Sequence, residues 1–476
     1  MSIRKTFFDT MALSSVGALR LLAQFLALPI LARILSPADY GLMAMAMPFL
    51  LFTMMIADAG IGTSLVRTSM KDSKEWSTCL WLSVILGIVL AAIMVGSAPL
   101  IAILFEEPQL SPIIMALAAV ICIQAIGAVH GSALMQTEKF KLIAISEVIA
   151  VVISIAVAVT VATHGGGTWA LVYQQLSYHS VRTGLTIIFS PFKPQRLFDI
   201  KTVSEHIRFG KDVLSSNLIT FFTRSIDNLV IGKVLDTVAV GIYSMAFQFA
   251  RLPLLLVSGP LQMVFYSKMA KVKDDKNSIR KTFLTLTRIL ATAIFPAMGM
   301  VAVAHHSFFI LLLSDKWQES GRIFMLVAGV MALQAVMNGM CKIVMMALGH
   351  TRQQVRQTTE QGMIWIITMF STIWFGLDCL VISYSVVFLL YSPRVLMLTL
   401  PLIDCSYRDY IRAIIIPIIT TLACIIIFIA IQSLFQPSII LQFIAAIMLT
   451  AIGIVISGLL QYPIFLNEYR LMKSTI

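Results

Sequence analysis

Seven basic side chains lie inside long apolar runs: Arg20, Arg182, Arg224, Arg251, Arg288, Lys342 and Arg394. A charge near the centre of a bilayer costs at least about 2.5–3.5 kcal/mol, so such a residue faces a bundle interior or a wet cavity, or it snorkels to an interface. Counted along their runs, Arg20, Arg224 and Arg251 fall near mid-depth. Arg182, Lys342 and Arg394 lie closer to one end, and Arg288 lies at an end, where snorkelling accounts for it. Acids are fewer: Asp58, Glu147 and Asp227 within the runs, Glu360 and Asp378 at run ends. An excess of buried positive charge attracts anions, and arginine in particular matches phosphate. Arg20, Arg182, Arg224, Arg251, Lys342 and Arg394 are therefore the candidate substrate-binding residues, with lipid-phosphate contacts and packing as the rival reading. Arg224 and Asp227, three residues apart, share a helix face, as do Arg20 and Gln24 at four. The first pair reads as an intrahelical ion pair or as a gate. Asp58, Asp227 and Gln24 are the candidate gating or ion-coupling groups.

No constellation for catalysis accompanies them. There is no glycine-rich phosphate loop, and His130, His164 and the His305–His306 pair lack metal spacing. The cysteines Cys79, Cys122, Cys341, Cys379, Cys405 and Cys424 form no Cys-x-x-Cys pair and read as small hydrophobes. The expectation is no metal, no cofactor and no enzyme.

The elements that hold these charges must be membrane helices. The chain has 476 residues, 59% hydrophobic and 12% charged, with mean hydropathy +0.91. Lipid is the only solvent for so much apolar surface, and in lipid a helix satisfies its own backbone. A span needs about 20 apolar residues, which predicts an all-α polytopic protein of about fourteen spans. They fall at 12–32, 41–62, 79–103, 112–134, 142–162, 168–189, 213–232, 240–264, 283–304, 323–348, 361–375, 379–400, 411–431 and 439–462, with short amphipathic pieces at 99–105 and 307–313. The first run is too long for a signal-peptide core and is interrupted by Arg20, so it reads as retained. Prolines 29, 48, 253, 260, 296, 393 and 417 interrupt spans and permit kinks. Gly127-x-x-x-Gly131 predicts close helix packing.

Twenty-four Lys and Arg fall in one alternate set of loops; only Arg33, Lys233, Lys316 and Arg322 fall in the other. The bias places both termini in the cytoplasm. The net charge of +12 thus belongs to short cytoplasmic loops, which touch membrane lipids, and not to a nucleic-acid surface. The basic stretches 190–212 and 267–282 fit anionic headgroups or ordinary positive-inside loops.

The segment Arg33–Phe49 aligns without a gap on Lys233–Phe249, with Leu35/Leu235, Gly41/Gly241, Met45/Met245, Ala46/Ala246 and Phe49/Phe249 identical. Six spans separate the copies, so both run the same way through the membrane, a parallel repeat typical of transporters. The expected organisation is two six-helix bundles, 1–200 and 201–402, followed by two additional helices in 403–476.

The run Leu31-Ala-Arg-Ile-Leu-Ser-Pro-Ala-Asp-Tyr-Gly-Leu42, with Asp58-Ala-Gly-Ile-Gly62 and Leu65-Val-Arg67, resembles the bacterial polysaccharide-transporter (lipid-linked oligosaccharide flippase) family. So do Ser225–Lys233, Gly241–Ser244, Ser314-Asp-Lys-Trp317 and Ser406-Tyr-Arg-Asp-Tyr410. The resemblance is to the branch with colanic-acid and related exopolysaccharide exporters. It implies the multidrug/oligosaccharidyl-lipid/polysaccharide exporter fold, with two bundles facing a central cavity. It also implies the substrate, a glycan on undecaprenyl pyrophosphate, flipped across the bacterial inner membrane for surface polysaccharide synthesis, with other polysaccharide assembly proteins as partners. A drug/cation antiporter of the same superfamily would have twelve spans and an acidic cavity. A membrane glycan polymerase or ligase would carry a large outer catalytic loop. Neither feature is in this sequence.

Overall fold

The structure is a computed structural model. It describes residues 27–58, 73–199, 226–272 and 275–474, together with Phe25, Ser64 and Leu65. The chain divides into two compact units, Met1–Gly241 and Ile242–Ile476.

The first unit contains α1 (Pro37–Asp58), α2 (Ser73–Phe105), α3 (Leu110–Gln136), α4 (Phe140–Thr163) and α5 (Trp169–Phe189), and it ends in the first turn of α6 (Thr237–Ala250). The α2/α3 and α4/α5 pairs are antiparallel hairpins, with α3 packed on α5 and on α1. The GxxxG lies at that packing: a Cβ on Gly127 would meet Thr183 Oγ1 at 2.8 Å. The amphipathic piece expected at 99–105 is instead the last two turns of α2, which continues through Pro99.

The second unit continues with a π-helical turn (Leu254–Ser258), α7 (Gly259–Lys271), α8 (Lys276–Val303), α9 (His305–Leu312), α10 (Gln318–Ala347), α11 (Thr351–Thr372), α12 (Leu377–Thr399), α13 (Tyr407–Phe435) and α14 (Ile439–Ser474). Here α8 packs against α10, α13 and α14, and α12 against α10 and α11. α9 is the short piece expected near 307–313.

Ten described stretches are long and apolar enough to cross a membrane, and the chain is a multi-pass membrane protein. α5 and α11 are helices but more polar, and most of the first and seventh expected spans lies outside the described residues. Among the described residues all six cysteines are free, with Cys79, Cys341, Cys405 and Cys424 buried.

The family-like motifs are mostly helix starts. Ser36 caps α1: its Oγ accepts from Asp39 N (3.2 Å), and Asp39 Oδ2 accepts from Ser36 N (2.9 Å), a reciprocal cap with Pro37 in the first turn. Asp39 Oδ1 also accepts from Thr168 Oγ1 (3.0 Å), tying the start of α1 to the α4–α5 turn. In the second copy Asp236 Oδ1 accepts from Ala239 N (2.6 Å), so the cap recurs with a different residue. Ser406 and Asp409 form the same box at the start of α13.

Candidate functional site

Glu147 on α4 faces α5, its side chain 7% exposed. Tyr178 and Arg182 lie one turn apart on α5 and meet it together. The Tyr178 hydroxyl donates to Oε1 (2.5 Å) and Arg182 Nε donates to Oε2 (2.8 Å). A buried carboxylate is tolerable only with such partners, and stripping one from a buried pair costs about 3–5 kcal/mol.

The second unit builds the same group on α11 and α12. Glu360 Oε1 accepts from Arg356 Nε (2.8 Å) on its own helix. Its Oε2 accepts from the Tyr391 hydroxyl (3.2 Å) and lies 3.6 Å from Arg394 Nε. Tyr391 and Arg394, three apart, share the face of α12 turned to α11.

Arg251 follows the last residue of α6. Pro253 and Pro260 cannot donate backbone hydrogen bonds, and the chain between them runs as a π-helical turn, so the residue sits at a helix break. Its side chain is exposed, with the guanidinium carbon 5.7 Å from the Phe247 ring centroid. Lys342 is exposed on α10. Of the gating candidates, Asp58 is exposed at the end of α1 and Asp227 is buried, 6% exposed. Arg20, Gln24 and Arg224 lie outside the described residues, and with them the Arg224–Asp227 pair.

The sequence showed only an excess of basic over acidic groups within the spans; the structure gives Arg182 and Arg394 each a glutamate partner. It also adds Tyr178 and Tyr391, which sequence reasoning passed over. One signal was present. Each tyrosine follows its glutamate by 31 residues and precedes an arginine by one helical turn.

Two pockets of the first unit lie away from these groups. One of about 280 Å³ is apolar, walled by Phe49, Phe52, Leu90 and Met94. The other, about 320 Å³, lies at the start of α1 and α5 between Asp39, Gln109, Thr168 and Trp169. Among the described residues no cluster of His, Cys, Asp or Glu has the make-up of a metal site.

Known proteins agree with this architecture. The chain is 27% identical over 290 residues to the teichuronic acid biosynthesis protein TuaB of Bacillus subtilis (strain 168), covering 60% of either chain. It is 25% identical over 356 residues to the lipopolysaccharide biosynthesis protein WzxC of Escherichia coli (strain K12), covering 72% of this chain and 71% of that one. The succinoglycan biosynthesis transport protein ExoT of Rhizobium meliloti (strain 1021) is 26% identical over 317 residues, covering 66% and 64%. The chain thus spans between three-fifths and three-quarters of these relatives' lengths. Among solved structures, the lipid II flippase MurJ in an inward closed conformation superposes with TM-score 0.74 at 15% identity, over 96% of this chain and all of that one. An inward-facing multidrug-resistance transporter of the MATE family gives 0.58 at 16% identity, over 83% and 99%. These two likenesses show the fold. Residues 30–322 match the family described as polysaccharide biosynthesis protein, and over that stretch, more than half its length, the chain belongs to that family.

Proposed function

We propose that the chain is a transporter that flips an undecaprenyl-pyrophosphate-linked oligosaccharide across the bacterial inner membrane for surface polysaccharide synthesis. It works by alternating access through a basic central cavity. The observation that carries this is the family match, joined to basic side chains inside the spans of a flippase-like fold. A pyrophosphate must leave water to cross the membrane, and fixed guanidinium groups replace part of its hydration. Arg20, Arg224 and Arg251 serve it at mid-depth, helped by Arg182, Lys342 and Arg394. Asp58, Asp227 and Gln24 serve gating or ion coupling. The working division is a bundle at 1–200, a second at 201–402 and two added helices in 403–476. Both termini are cytoplasmic, and other polysaccharide assembly proteins supply and receive the glycan.

Export of polysaccharide from cells carrying Arg251→Ala or Arg224→Ala tests the reading. Both variants should reach the membrane at normal levels and lose export, and Lys at either site should restore part of it. Normal export by both alanine variants would refute the cavity. Reporter fusions after Lys74 and Lys276 should both report cytoplasm; an outer signal from either would break the topology.

A further inference from the structure

We infer that Glu147 with Tyr178, and Glu360 with Tyr391, are positioning residues that aim Arg182 and Arg394 at the phosphate oxygens of the lipid-linked substrate. The inference rests on the proposed role of those two arginines and adds the groups that orient them.

Three observations carry it. First, each guanidinium group turns its Nε to a glutamate, Arg182 in a hydrogen bond and Arg394 in a looser ion pair. Among the described residues the protein contact of each is through Nε, to Glu147 Oε2 at 2.8 Å and to Glu360 Oε2 at 3.6 Å. Among the described residues both terminal amino groups of each arginine make no protein contact, on side chains 38% and 43% exposed. Those terminal groups form the fork that grips a phosphate with two parallel hydrogen bonds. Second, each glutamate is itself fixed. Tyr178 holds the Glu147 oxygen that Arg182 does not use, while Tyr391 and Arg356 hold Glu360. An ion pair meant only to neutralise charge needs no third group, whereas an arginine that must point in one direction needs its partner immobilised. Third, the arrangement occurs twice, once in each unit, with the tyrosine 31 residues after the glutamate both times. Packing alone gives no reason for an acid, a tyrosine and an arginine to recur together on the last hairpin of each expected six-helix bundle.

The opposite sign is also testable. A glutamate that merely competed with the ligand for arginine would weaken anion binding, and its removal would strengthen it. A positioning glutamate weakens binding when removed.

The full chain, purified into phosphatidylcholine nanodiscs, is titrated with a fluorescent polyprenyl pyrophosphate and with the matching neutral polyprenol. Glu147→Gln should weaken pyrophosphate binding about tenfold, the loss expected for one charge-assisted hydrogen bond. Glu360→Gln should weaken it by less, its contact with Arg394 being an ion pair at 3.6 Å. Both should leave polyprenol binding unchanged. Tyr178→Phe and Tyr391→Phe should act in the same direction. They delete one hydroxyl each and carry the test if a glutamate variant fails to accumulate. Unchanged or tighter pyrophosphate binding in these variants overturns the inference, as does an equal loss for polyprenol, which marks a folding role. Arg182→Ala and Arg394→Ala separate the two levels. If they too bind normally, the arginines do not serve the substrate; if they weaken binding while the glutamate and tyrosine variants do not, only the positioning role falls. Displacement of the probe by phosphatidylglycerol as readily as by unlabelled polyprenyl pyrophosphate would assign the arginines to bulk lipid and overturn the inference as well.

Discussion

Gly41 and Gly241 face each other where α1 crosses the start of α6. A Cβ on Gly41 would land on the carbonyl oxygen of Thr237, and a Cβ on Gly241 on that of Pro37. The contact is reciprocal: each glycine meets the first helical residue of the other copy of the repeat. This is the pattern of an isologous contact about a local two-fold axis, and it gives the two aligned motifs one shared physical cause.

Gly41→Ala or Gly241→Ala should therefore be severe. The obstructing atoms are backbone, so no rotamer change relieves them, and the cost should lie at or above the about 1–3 kcal/mol usual for overpacking. Melting of the detergent-purified protein measures it. Because both methyl groups would be relieved by the same separation of the two helices, the double variant should lose less than the two single losses combined. Full additivity, or an unchanged melting point in either single variant, would contradict the crossing.

These glycines were legible in the sequence because the repeat is local and ungapped, and Ser36, Asp39, Ser406 and Asp409 because capping boxes act over three residues. The Glu147 and Glu360 groups were not. Each tyrosine, with the arginine one turn beyond it, lies 31 residues or more from its glutamate, and which residues of α4 face α5 depends on the hairpin register, set by the turn through Gly165 and Gly167. Those glycines adopt φ of +80° and +50°, which a hydropathy pattern does not encode. The charge excess was legible as a total, but its distribution depended on helix faces, and for Arg182 and Arg394 the facing carboxylate decides the local charge.

Part of the basic stretch after α5 is a clasp on the start of α2. Gln195 N donates to Ser77 Oγ (3.0 Å), Trp81 Nε1 donates to Gln195 O (2.9 Å), and Lys74 pairs with Asp199 (2.9 Å). Phe192 is buried against Trp76 and His130, with ring centroids 5.9 and 5.4 Å away. Phe192→Ala should cost about 3 kcal/mol, the low end for a buried phenylalanine, and should speed proteolysis of the 190–199 segment. The exposed pair should add little, so Lys74→Gln should change melting far less than Phe192→Ala. If the two variants prove equivalent, the clasp is electrostatic and the burial of Phe192 is incidental.

Glu106 and Lys233 form an ion pair at 2.7 Å outside the spans. The hydrogen bond from Lys233, reinforced by its charge, holds the Glu106 carboxyl below its ordinary value of 4.5. A carboxyl depressed on folding stabilises the folded state above its unfolded value and loses that contribution as pH falls through the folded value. The melting difference between the wild type and Lys233→Gln should accordingly be constant from neutral pH down to about 5 and shrink below 4.5. Both side chains are well exposed, so salt should shrink the difference too. A difference that grows on acidification would reverse the sign and exclude the pair as its source.

Ser314 has φ +136° and ψ 174°, a region that is essentially glycine's and costs another residue about 1–3 kcal/mol. The turn is held there from both sides: Ser314 N donates to Phe309 O (3.2 Å), Trp317 N donates to Ser314 O (3.1 Å), and the Trp317 indole is fully buried. Its own hydroxyl is buried and makes no hydrogen bond among the described residues. Ser314→Gly should thus stabilise the protein. Relief of the strained backbone outweighs the about 0.5–1 kcal/mol of extra chain entropy that glycine brings to the unfolded state. Ser314→Ala separates the causes, since it removes the hydroxyl and keeps the strain. A rise in melting temperature for Gly but not for Ala places the strain in the backbone, and an equal rise for both places it in the buried hydroxyl. A fall for Gly would mean that the serine side chain holds the Ser314–Trp317 turn, and the strain argument would be wrong.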